Sequence, residues 1–71
     1  MPNSFGERLK QLRKSKGLNQ SQLAEILSVH EITVRRWELK QREPRLEDIK
    51  ALAKALGVSE ADLLNDSPPD N

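Results

Sequence analysis

The chain has 71 residues, enough for one small domain that buries about 60% of the surface its unfolded form exposes. That leaves no room for a catalytic cleft between two domains, and with no cysteine and one histidine there is neither a disulfide framework nor a ligand set for zinc. The net charge of +1 hides an uneven distribution: residues 1–45 carry ten Lys/Arg and five Asp/Glu, whereas residues 46–71 carry two and six, so a basic segment precedes an acidic one.

The spacing predicts a first helix over 4–16. Ser4 and Glu7 form a capping box, and Phe5, Leu9 and Leu12 form its buried stripe. Gly17 closes it in a left-handed conformation and Leu18 packs back. Arg8, Lys10, Arg13, Lys14 and Lys16 read as its solvated face, a source of diffuse positive field. Asn19 caps a second helix over 20–27, whose apolar face is Leu23, Ala24 and Leu27. Ser28 and Val29 interrupt this pattern, and Val34 and Trp37 open a new stripe in a third helix over 31–39. The spacing of Trp37 from Val34 puts it in the core rather than on a stacking surface.

A polar loop from Lys40 to Pro44 follows, then a fourth helix over 46–56 with Leu46, Ile49, Leu52, Ala53 and Leu56 on its inner face. Gly57 ends that helix, and Ser59 with Asp62 caps a short fifth one reaching about residue 65. Residues 66–71, rich in Pro, Asp and Ser, read as a disordered tail or the start of a linker. Without a strand pattern or an internal repeat, the expected architecture is all-α: one compact five-helix bundle over residues 4–65. The longest apolar runs are two or three residues, so neither a signal peptide nor a membrane span is expected and a cytoplasmic protein is.

Helices two and three, joined by a tight turn, have the form of a helix-turn-helix, and the polar face of the third suits a DNA major groove. Residues in the first turns of such a helix reach deepest, which selects His30, Glu31, Ile32 and Arg36 as base-contacting candidates. Arg36 can pair bidentately with guanine O6 and N7. Glu31 can accept from cytosine N4, or it can form a surface ion pair with Arg35 four residues on. Ile32 can lie against a thymine methyl. His30 stands at the groove edge or simply in solvent, and nothing near it in sequence makes it a metal ligand or a catalytic base. Thr33 and Arg35 flank the same face as phosphate contacts, and Asn19 divides between capping and phosphate binding.

The segments FGERLKQLRKSKGLNQSQLA, VHEITVRRWE and LAKALGVSEADLL, with a Pro44-containing loop before the last, occur in an order that resembles the lambda-repressor-like DNA-binding domains, the Cro/C1-type or xenobiotic-response-element family. The resemblance covers about residues 5–65. It implies a five-helix bundle that binds operator DNA, usually as a two-fold symmetric pair, and usually represses transcription. It also implies that Gln20 holds a phosphate at the start of helix two. Arg42 and Arg45, joined by Lys40, would form a second phosphate clamp, with plain solvation as the alternative for each loop cation. Arg13 and Glu38 match a pair that forms a partly buried ion pair between helices one and three. The chain departs from the family where Ser28 stands in place of the usual turn glycine, and where Leu39 and Lys40 replace the glycine or asparagine that often ends the recognition helix. A non-glycine residue at positive φ costs roughly 1 kcal/mol.

The expected function is therefore sequence-specific binding of double-stranded DNA by a transcriptional regulator, most simply a repressor on an inverted-repeat operator, acting as a homodimer at least on DNA. No cofactor or metal is called for, and nothing suggests an enzyme. The alternative is a protein-interaction module, an antitoxin or regulatory scaffold, using the acidic C-terminal half and the Leu63–Leu64 pair to hold a protein partner. A missing C-terminal domain fits either reading.

Overall fold

The structure, a computed structural model, describes residues 5–64 and shows α1 at Phe5–Ser15, α2 at Gln20–Leu27, α3 at Glu31–Glu38, α4 at Leu46–Leu56 and α5 at Glu60–Leu64, with no strand among the described residues. The all-α, five-helix architecture is the expected one. The Ser4 cap, the last expected residue of the fifth helix at 65 and the tail at 66–71 lie outside the described residues. No helix is long and apolar enough to cross a membrane.

Leu9 of α1, Leu23 and Ala24 of α2, Val34 and Trp37 of α3, Ile49, Leu52, Ala53 and Leu56 of α4, and Leu63 of α5 form one buried cluster. Phe5, Leu12, Leu18, Leu27, Val29 and Val58 pack around it, half-buried. The inner stripes are those that the three- and four-residue periodicity marks, with one correction. Leu46 is 66% exposed, because it is the first residue of α4 and the buried cluster begins one turn later, at Ile49.

The helix ends share one solution. In each of four places a residue at positive φ turns the chain, and the following N–H returns to the carbonyl five residues back. Gly17 (φ 73) does this after α1, with Leu18 N–H donating to Arg13 C=O at 3.1 Å. Gly57 (φ 71) does it after α4, with Val58 N–H donating to Ala53 C=O at 3.0 Å. Ser28 (φ 59) and Lys40 (φ 65) do it after α2 and α3, with Val29 N–H donating to Ala24 C=O at 3.0 Å and Gln41 N–H to Arg36 C=O at 2.8 Å. The third helix is thus one residue shorter than the expected 31–39: Leu39 is its C-cap and 56% exposed.

α1 reaches α3 through a glycine. A Cβ on Gly6 would lie 2.5 Å from the Glu38 carbonyl oxygen and 2.7 Å from that of Trp37, both backbone atoms that cannot swing aside. α1 therefore crosses directly over the last turn of α3. Arg8 adds a second tie, its Nε donating to the Asp62 carbonyl of α5 at 3.0 Å.

Candidate nucleic-acid interface

α3 divides cleanly into two faces. Val34, Trp37 and Glu38 are buried, whereas Arg35 and Arg36 are exposed, and Glu31, Ile32 and Thr33 are half-buried at the start of the helix. Residues 32 and 36 lie one turn apart, as do 31 and 35, so the outward face carries an apolar group, a carboxylate and two guanidinium groups in two adjacent rows. Ile32 is less exposed than its polar surroundings imply. Glu31 makes no ion pair with Arg35, since the ion pair among the described residues is Arg13–Glu38. Both side chains are left available to a partner.

Three arginines converge beside this face. Arg36, Gln41, Arg42, Glu43 and Arg45 line one open depression of about 600 Å³. The side chain expected to read a base thus shares a rim with two expected to grip phosphate, and Glu43 partly offsets their charge. Lys40 and Arg42 border an adjoining notch of about 190 Å³, walled by Phe5, Gly6, Trp37, Glu43 and Pro44. The loop gains its form from both ends: Lys40 turns it at positive φ, and the Arg45 N–H donates to Asp48 Oδ2 at 2.8 Å to start α4.

Behind α3 lies an organised polar cluster. Arg13 Nε donates to Glu38 Oε2 at 2.6 Å and Arg13 Nη2 to Glu38 Oε1 at 3.1 Å, a bidentate pair buried between α1 and α3. Arg13 Nη1 also holds the Leu18 carbonyl at 2.8 Å. Gln20, half-buried at the first position of α2, donates from Nε2 to Glu38 Oε1 at 3.0 Å. The start of α2, where free N–H groups and the helix dipole suit an anion, is thereby fixed in register with the end of α3.

Asn19 caps α2 through Oδ1 and its backbone N–H. Its Oδ1 accepts the Gln22 N–H at 2.7 Å, while its own N–H donates to Gln22 Oε1 at 2.8 Å. His30 is the exposed N-cap of α3. Thr33 lies in the first turn of α3, half-buried.

Three contributors were not among the sequence candidates. Gln22 completes the Asn19 cap, and its position three residues on is a readable capping-box signal. Arg8, expected on the solvated face, is half-buried; it falls on the 5, 8, 9, 12 stripe, so periodicity contains the clue. Gly6 left no local signal, because what it permits is a contact with residues more than thirty positions away.

A short helix, a tight turn and a second helix with one buried and one polar outer face define a helix-turn-helix domain. The HTH_3 helix-turn-helix family model matches residues 9–63, and the chain belongs to this Cro/C1-type family. The transcriptional activator BcrR of Enterococcus faecalis is 39% identical over 61 residues, a match covering 86% of this chain and 30% of that protein. Among solved structures, the restriction-modification controller protein C.AhdI from Aeromonas hydrophila superposes with a TM-score of 0.81 at 38% identity, covering 84% of this chain and 91% of that one. The P22 c2 repressor, solved in complex with a synthetic operator, superposes with a TM-score of 0.84 at 32% identity, covering 92% and 98% respectively. The chain spans between about a quarter and three-fifths of the length of the curated relatives it matches.

Proposed function

We propose that this chain is the DNA-binding module of a transcriptional regulator, placing α3 in the major groove of duplex DNA. One observation carries the reading: α3 buries Val34, Trp37 and Glu38 and turns Arg36 outward on the same rim as Arg42 and Arg45. Base reading falls to Arg36, Glu31, Ile32 and His30. Phosphate contacts fall to Gln20 and Asn19 at the start of α2, to Thr33 and Arg35 along α3, and to Lys40, Arg42 and Arg45 in the loop. Family membership and the likeness to a repressor solved on its operator support the same assignment.

A two-fold pair of such modules would occupy an inverted repeat with half-sites about 34 Å apart, one helical turn. Repression follows by occluding the promoter, in the cytoplasm. Selection from a random duplex pool tests this. A palindromic motif is the expected result, and enrichment no better than bulk DNA would overturn the reading.

A further inference from the structure

His30 caps α3 with its ring. Nδ1 accepts the Ile32 N–H at 3.2 Å, and the His30 backbone is extended at φ −73 and ψ 145. Short oxygen-bearing side chains usually fill this position, and a histidine there has a consequence they lack. A ring nitrogen that accepts a hydrogen bond carries no proton, so the neutral imidazole must hold its proton on Nε2. The cap converts a side chain able to present either a donor or an acceptor into one that presents a donor. Nε2 has no partner among the described residues, and His30 is exposed at the entrance of α3. The cap also holds the ring in place, so a contact made by Nε2 has little side-chain freedom left to lose.

We propose that His30 is a tautomer-fixed hydrogen-bond donor of the interface, presenting Nε2–H to an acceptor atom of the duplex, either a purine N7, where it adds sequence specificity, or a phosphate oxygen, where it fixes register. This rests on α3 being the groove helix. An obligate donor favours purine N7 or guanine O6 and rejects the cytosine N4 amino group, which is itself a donor. Glu31, the next residue, has the opposite character: its carboxylate accepts and favours that same amino group. The entrance of α3 thus shows a donor and an acceptor side by side, in an order set by one backbone hydrogen bond.

The chain has a single histidine, so a long-range proton–nitrogen correlation spectrum of the free protein reports one ring. In alkaline buffer the Nε2–H form is expected; an Nδ1–H form would overturn the proposal. On the selected operator, 7-deazapurine and methylphosphonate substitutions are then scanned position by position. Besides the losses at the Arg36 and phosphate contacts, wild type should lose about three- to tenfold in affinity at one further position in each half-site, the worth of one hydrogen bond. His30→Asp keeps a good cap through an acceptor-only carboxylate with no hydrogen to donate, and should show no loss at that position whatever its added charge does to overall affinity. A 7-deazapurine response assigns a base edge, and a methylphosphonate response assigns a phosphate. Equal position-by-position profiles for wild type and His30→Asp would overturn the role of His30 while leaving α3 in the groove. Failure to select any motif would overturn the underlying reading and this proposal with it.

Discussion

The carboxylate of Glu38 accepts from Arg13 twice and from Gln20 once, and Arg13 also holds the Leu18 carbonyl, so one buried acid joins α1, the α1–α2 turn, the start of α2 and the end of α3. Such a pair gains little over well-packed apolar side chains, but removing one partner leaves the other charged and dry. Glu38→Ala should therefore destabilise the domain by about 3–5 kcal/mol in urea unfolding. A joint Arg13→Met, Glu38→Leu replacement should cost much less. Gly6→Ala probes the same junction by bulk: its methyl group would meet two α3 carbonyl oxygens inside normal contact distance. The expected loss is about 1–3 kcal/mol, read from the denaturation midpoint, because α1 must back away from α3.

At the scale of the helices, the two glycine-free endings stand out. Ser28 and Lys40 hold left-handed conformations that cost a side chain roughly 1 kcal/mol relative to glycine. Ser28→Gly should raise stability by up to about that amount without affecting DNA affinity. Lys40→Gly should raise stability similarly and weaken DNA binding, since it removes a cation expected on phosphate; melting and binding measured together separate the two effects. The bounds of α2 and α4 were legible in the sequence because their signals are local, Asn19 before one and Gly57 after the other. The end of α3 was misplaced by a residue because Lys40 occupies a site that glycine ordinarily announces. The outward face of α3 followed from periodicity alone. The convergence of Arg36 with Arg42 and Arg45 did not, because it depends on how the loop folds back. Leu46 departs from its expected place for a related reason: spacing tells which residues share a face, but not how far along that face the core extends.

At the scale of the whole molecule, the near-zero net charge coexists with a cationic segment that contains the helix-turn-helix. Of the cations proposed on phosphate, Arg35, Lys40, Arg42 and Arg45 lie on α3 and the loop after it, and each neutralised phosphate contributes about −0.9 to the dependence of log K on log salt. A slope of about −3 to −4 per domain is expected, and one near zero would mean that these side chains do not meet the backbone. The acidic C-terminal segment would then be the better candidate for a partner surface.

The central claim is that α3 reads bases through side chains standing on an otherwise fixed scaffold. The direct measurement is a duplex selection run in parallel on wild type and Arg36→Ala, after circular dichroism shows both are folded. The variant is expected to lose one guanine preference in each half-site, worth about 1–3 kcal/mol, while the remaining positions and the half-site spacing persist. An unchanged motif from a folded Arg36→Ala chain would contradict that claim.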